Sequence, residues 1–251
     1  MPPTAPITTV LFDLDDTLFD HMATARAALA ATAAGRPALQ GVPAEELYQR
    51  YSALLEEMHP RVMTGQLSYL AARQLRFQQL LAPYEPAVSA AAVEELAAQH
   101  YGHYRQLRQP VAGALALLQR LTPAVKIGIV TNNRTEEQRD KLDFLGMTAL
   151  VDALITSEDV GVLKPDPAIY QVALERLQAR PAETVMVGDN WQADVLGALA
   201  VGIRPLWLNR TGAARLLPDV AELTSLEPTA DVYQQLIRPA QVGTIVRLAD
   251  V

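Results

Sequence analysis

Four short clusters in this 251-residue chain carry side chains suited to chemistry on a charged oxyanion. Asp13-Leu14-Asp15-Asp16-Thr17 gathers carboxylates and a hydroxyl in one turn, and Thr131-Asn132-Asn133 adds a hydroxyl and two amides. Lys164 stands before Pro165, and Asp189 and Asp194 follow Gly188 closely. Several carboxylates in one crevice repel each other and need compensation. A hard divalent cation supplies it. Oxygen donors with no thiol and no nearby histidine suggest Mg2+. That ion keeps part of its water shell and shares phosphate oxygens, so the cluster also predicts a phosphate ester as substrate. Thr131 and Lys164 suit the remaining phosphoryl oxygens, and successive N–H groups of the first turn would add donors.

For these clusters to meet, the elements before them must end at one edge. Five apolar or β-branched runs precede turn residues: Thr9–Leu14, Val125–Thr131, Ala153–Ser157, Thr184–Gly188 and Arg204–Asn209. Helical patterns lie between the later ones. Thr135-Glu136-Glu137-Gln138 has the form of a capping box, with Gly146 as the stop. Asp166-Pro167 reads as an N-cap followed by proline at the first helical position, and a further helix spans about 192–200. Alternating strand and helix give right-handed crossovers and an α/β fold with a doubly wound parallel sheet. Ligands of such sheets bind beyond the carboxyl ends of the strands, where all four clusters fall.

Residues 21–109 break this rhythm. They hold no convincing strand and read as helices over roughly 22–34, 43–58, 68–81 and 89–107, divided at Gly35-Arg36-Pro37 and Pro83-Tyr84-Glu85-Pro86. The expected organisation is an α/β core of 1–20 and 110–251, with a helical insertion at 21–109 directly after the first strand.

In order and context, Asp13-x-Asp15-x-Thr17, Thr131-Asn132, Lys164-Pro165 and Gly188-Asp189-x-x-x-x-Asp194 resemble the four signature motifs of the haloacid dehalogenase-like (HAD) superfamily. The resemblance runs from about Val10 to Asn209. It implies a Rossmann-like core with an inserted helical cap. It further implies that Asp13 is the nucleophile forming an acyl phosphate. Asp15 would protonate the leaving oxygen and then deprotonate the attacking water. The metal would be held by Asp13, Asp189, the backbone carbonyl of Asp15 and, directly or through a neighbour, Asp194. Thr131, Asn132 and Lys164 would bind the phosphoryl group. Dehalogenases resemble this layout but lack the second acid, so Asp15 favours phosphoryl transfer. The wording around Asp13 and Ser157–Gly161 looks most like nucleotidases and sugar-phosphate phosphatases. A phosphomutase and a non-catalytic phosphate binder are the alternatives.

Each motif alone has a plainer reading. Asp13 and Asp15 could form a turn, Thr131 could end a strand, Lys164 could be solvated and Asp194 could face a helix dipole. Asp16 and Asp20 read as structural, with Asp20 a candidate cap for the first inserted helix. His100 and His103 read as an exposed helix face, and Trp191 reads as packing. Arg61, Tyr69, Arg73 and Arg76 are candidates for recognising the rest of a substrate.

A net charge of −7 with no basic run argues against nucleic-acid or anionic-membrane partners. The absence of cysteine excludes disulfides and thiolate chemistry and is compatible with the cytosol. MPPTAPIT lacks the pattern of a signal peptide, and no apolar run reaches bilayer-spanning length, so a cytoplasmic protein is expected. Val242–Leu248 reads as a further strand that the family resemblance does not explain.

Overall fold

A computed structural model describes residues 5–238. The chain divides into two compact units, one of residues 1–20 with 109–251 and the other of residues 21–108. The strand expected over Val242–Leu248 lies outside the described residues.

Among the described residues, the first unit is an α/β fold around a six-stranded, wholly parallel sheet of order β3-β2-β1-β4-β5-β6. Its strands are β1 (Thr9–Phe12), β2 (Lys126–Thr131), β3 (Ala153–Thr156), β4 (Thr184–Gly188), β5 (Arg204–Leu208) and β6 (Ala221–Leu223). The helices of this unit are α5 (Ala114–Leu121), α6 (Thr135–Phe144), α7 (Ser157–Val160), α8 (Pro167–Leu177), α9 (Gly197–Ala200) and α10 (Thr229–Ile237). Leu11, Val130, Ile155 and Met186 build one core with Ile169, Tyr170, Ala173 and Leu177 of α8. Their strand neighbours Val10, Phe12, Ile129 and Val187 point the other way and are buried too. A sheet covered on both faces explains why the strands read as continuous apolar runs rather than alternating ones.

Five strands fall where the sequence places them, each within two residues. β6 was not foreseen: Ala-Glu-Leu is short and carries no β-branched residue. It pairs with β5, and the backbone N–H of Asn209 extends that pairing by donating to the Leu223 carbonyl at 2.7 Å. Asp166 caps α8 as expected, accepting from Ala168 N at 2.9 Å. The capping box at Thr135 does not form. The Thr135 N–H donates instead to Glu158 Oε2 at 2.9 Å, and Gln138 turns inward. The helix expected over 192–200 begins as a π-helical stretch, Trp191–Leu196, before α9.

The second unit is helical: α1 (His21–Ala34), α2 (Ala44–Met63), α3 (Tyr69–Leu81) and α4 (Ala90–Gln106). Ser68 and Ser89 cap α3 and α4, accepting from Ala71 N and Ala92 N. The two breaks in the sequence are joined by an Arg36–Glu85 ion pair at 2.8 Å. α2 outruns its expected end and continues to Met63, although Pro60 inside its last turn lacks a backbone donor.

The expected exposure of His100 is wrong. Val93, Leu96, Ala97, His100 and Tyr104 form the buried stripe of α4, and His100 is 3% exposed among the rings of Tyr51, Phe77 and Tyr104. Burial, aided by Arg76 and Arg73, lowers its pKa to about 3. Arg73 lies over the Tyr101 ring, and Arg76 donates to Tyr51 Oη at 2.9 Å. Among the described residues no helix is long and apolar enough to cross a membrane.

Gly113, which opens α5, has φ +84°, and a Cβ there would stand 2.8 Å from the Leu226 carbonyl oxygen. Gly113→Ala therefore adds left-handed strain of about 1–2 kcal/mol to a clash with backbone that cannot rotate away. The expected outcome is a lower midpoint in thermal unfolding, and an unchanged midpoint would contradict this account.

Candidate active site

The sheet order reverses between β1 and β4, which are hydrogen-bonded neighbours, and a crevice at that reversal is where such sheets take ligands. Asp13 follows β1, its N–H donating to the Val187 carbonyl at 2.9 Å, and Asp189 follows β4. The chain then turns sharply. The N–H groups of Leu18 and Phe19 both donate to the Leu14 carbonyl at 2.9 Å, and Asp16 takes φ +60°, which Asp tolerates better than most residues. Arg210, just beyond β5, braces this turn by donating to Asp20 Oδ2 at 2.6 Å and to the Asp16 carbonyl at 3.2 Å.

Lys164 occupies the centre. Its ammonium is 2.6 Å from Asp13 Oδ1 and 2.6 Å from Asp194 Oδ1, with all three residues buried. Asp194 is aimed inward by local bonds: Asn190 Oδ1 accepts from Ala193 N at 2.8 Å, and Asn190 N donates to Asp194 Oδ2 at 3.0 Å. The carboxylate fills the space over Gly188, where a Cβ would sit 2.2 Å from Asp194 Cγ. Position 188 therefore has to be glycine. Thr17 Oγ1 donates to Asp189 Oδ1 at 3.2 Å, and the Trp207 indole N–H donates to the Asp189 carbonyl at 2.8 Å. Trp191 packs edge-on against Trp207, with ring centroids 4.8 Å apart.

One oxygen from each of Asp13, Asp189 and Asp194 fits within 4.8 Å of the others. Three carboxylates against the one ammonium of Lys164 leave an excess of negative charge that a divalent cation would offset, and carboxylate oxygens are the donors a hard cation prefers. The electrostatics reflect that excess. Burial first, then the neighbouring acids, raises Asp13 to about 7 and Asp189 to about 8. Burial would lower the Lys164 ammonium, but its attraction to Asp13 and Asp194 outweighs this and raises it.

Asp15 faces elsewhere. Its carboxylate accepts from Lys141 Nζ at 2.6 Å, Gln138 Nε2 at 3.1 Å and Asn133 Nδ2 at 3.4 Å. Thr131 ends β2 buried, and its hydroxyl accepts from Gln138 Nε2 at 2.6 Å. Asn132, expected among the phosphate ligands, engages Lys164 through its side chain. Its side chain donates to the Lys164 carbonyl at 2.9 Å and accepts from the Lys164 N–H at 2.7 Å. That amide is committed to holding the backbone of Lys164, ahead of the cis Lys164–Pro165 bond.

Gln138, Lys141, Asn190 and Arg210 were not foreseen. The first two carried a signal, since Gln138, Lys141 and Leu142 share the one buried face of an otherwise polar helix. Reading Gln138 as part of a capping box hid it.

Comparison with known proteins places these features in a family. The model of the haloacid dehalogenase-like hydrolases matches residues 7–202. The ribulose-1,5-bisphosphate 5-phosphatase of Halopiger xanaduensis is 33% identical over 78% of this chain and 82% of its own length. The glyceraldehyde 3-phosphate phosphatase of Methanopyrus kandleri is 31% identical over 81% and 84%. Among solved structures, the magnesium-bound HAD-hydrolase YfnB of Bacillus subtilis superposes with a TM-score of 0.73 at 24% identity, covering 92% of this chain and 100% of that one. With its motifs assembled at the reversal point of a doubly wound sheet, this chain belongs to the haloacid dehalogenase-like hydrolases.

Proposed function

We propose that the chain is a Mg2+-dependent phosphomonoesterase of the cytoplasm that acts on a small phosphorylated metabolite, a sugar phosphate or nucleotide, through an aspartyl phosphate on Asp13. The observation that carries this reading is the group of Asp13, Asp189 and Asp194 oxygens within 4.8 Å, with the buried Lys164 bridging Asp13 and Asp194. A second acid, Asp15, lies two residues from the nucleophile and can serve a leaving group that needs a proton. Relatives named as phosphatases of ribulose 1,5-bisphosphate and glyceraldehyde 3-phosphate support the substrate class.

In the first step a carboxylate oxygen of Asp13 bonds to phosphorus while the ester P–O bond breaks, and Asp15 gives its proton to the departing oxygen. In the second step water attacks phosphorus and passes a proton to Asp15. The bond to Asp13 breaks, and inorganic phosphate leaves. Lys164 offsets the charge between nucleophile and phosphate, and Thr131 with the Asn132 N–H holds phosphoryl oxygens. Asp13, Asp189 and Asp194, with the Asp15 carbonyl, would hold Mg2+, which when bound neutralises charge so that an anionic carboxylate can approach an anionic ester. Residues 21–108 are the proposed cap and the source of discrimination among substrates.

Phosphate release from a panel of nucleotides, sugar phosphates and an aryl phosphate should require Mg2+ and stop with EDTA. Asp13→Asn should lower it by more than about 10³-fold, since the nucleophile has no substitute. Turnover that survives in that variant would overturn the aspartyl-phosphate route.

The raised carboxyls also give a pH signature. Below the unfolded value of 3.8 both states are protonated; between there and the folded values of about 7 and 8, the unfolded chain releases protons that the metal-free fold retains. Stability therefore falls as pH rises through that window. A bound cation takes the place of those protons, so the rise in Tm on adding Mg2+ should be larger near pH 8 than near pH 5. Equal shifts at both pH values would contradict the assignment of these carboxylates.

A further inference from the structure

We infer that Lys141, acting with Gln138, is the positioning residue for the Asp15 carboxylate; the inference rests on the reading of Asp15 as the proton donor and acceptor. The two side chains leave one turn of α6 and take one carboxylate oxygen each. Lys141 Nζ is 2.6 Å from Asp15 Oδ1, and Gln138 Nε2 is 3.1 Å from Asp15 Oδ2. Two donors on two oxygens fix both the position and the plane of a carboxylate, which one donor cannot do.

Burial points the same way. Lys141 is 1% exposed and Gln138 is fully buried, on a helix whose only other buried residue is Leu142. An ammonium taken out of water is a poor choice for packing, because an apolar side chain of similar length would serve stability as well or better. The other carboxylate near Lys141, Glu137, is 3.9 Å away, and the face of the Phe19 ring lies 5.0 Å from the ammonium. The strong contact is with Asp15. Gln138 also donates to Thr131 Oγ1 at 2.6 Å. One amide thus ties the hydroxyl proposed to hold phosphate to the acid proposed to move the proton.

Asp15 has to meet two different oxygens in turn, that of the leaving group and that of the water. A carboxylate on a free loop would spend most of its time misaligned for both. The ammonium and amide on α6 limit it to one small region beside Thr131. Asp13, Lys164 and Asp194 form a separate bonded set, so the proton-handling residue and the phosphate-attacking residue have independent supports.

The test is stopped-flow hydrolysis of p-nitrophenyl phosphate by the Mg2+-loaded enzyme and its Lys141→Met and Lys141→Arg variants. Departure of p-nitrophenolate needs no proton, whereas hydrolysis of the aspartyl phosphate needs Asp15 as base. Lys141→Met should therefore show a first-turnover burst of p-nitrophenolate followed by a steady rate lowered about 10- to 100-fold, part of the contribution of a general base. Lys141→Arg should recover most of the steady rate and lose the burst. A Lys141→Met enzyme with wild-type kcat, or one slowed equally in both phases, overturns the inference, as does failure of Lys141→Arg to recover. If Lys141→Met loses its cooperative thermal transition, Gln138→Leu is read by the same criteria. Wild-type turnover that is indifferent to Asp13→Asn would instead remove the parent reading.

Discussion

The buried ammonium of Lys164 is the element on which the rest of the site depends. It sits between Asp13 and Asp194, which would otherwise face each other across a space with little water to screen them. Burying one cation among three acids lowers the repulsion without abolishing it, and burial, with what is left of that repulsion, raises Asp13 and Asp189. Breaking such a set by deleting one partner is costly, about 3–5 kcal/mol in comparable buried pairs. The fold commits several neighbours to keeping the ammonium in place. Asn132 holds its backbone from both sides, Asn190 aims Asp194 at it, and Gly188 leaves Asp194 room.

The topology makes that arrangement possible. β1 and β4 are remote in sequence but adjacent in the sheet, and the strand order departs in opposite directions from them. Each loop after a strand end therefore leaves on its own path and needs its own brace. The brace for the Asp13–Asp20 turn is Arg210, from beyond β5, and the brace for Asp15 is α6. Trp207 on β5 steadies the Asp189 carbonyl. The strands themselves contribute few polar atoms; they fix where the loops begin.

Much of the core was legible because its determinants are local. Five strands followed from apolar runs ended by turn residues, and Asp166-Pro167 announced α8 from its own chemistry. The meeting of Asp13, Lys164, Asp189 and Asp194 followed from placing four clusters at strand ends. What escaped were non-local bonds and weak local signals. Gln138 reads as a cap residue until the Thr131 hydroxyl is known to lie 2.6 Å away. His100 reads as polar until the aromatic rings around it are counted with its own helix. β6 has neither length nor β-branched residues to mark it; it exists because β5 offers a free side to pair with.

The double hydrogen bond between the Asn132 amide and the backbone of Lys164 has a consequence for how such a protein can change over time. An amide that donates and accepts against one residue does what a neighbouring strand would do. It makes residue 164 an extension of the sheet, although it lies in a loop. Residues 161–163 are thereby relieved of fixing the ammonium, so a change at Leu163 leaves the charge in place, whereas Gly161 at φ +82° and Val162 against the core stay constrained for reasons of their own. One side chain across the way has taken over the geometry of residue 164, and the loop before it answers only to its own cap and packing.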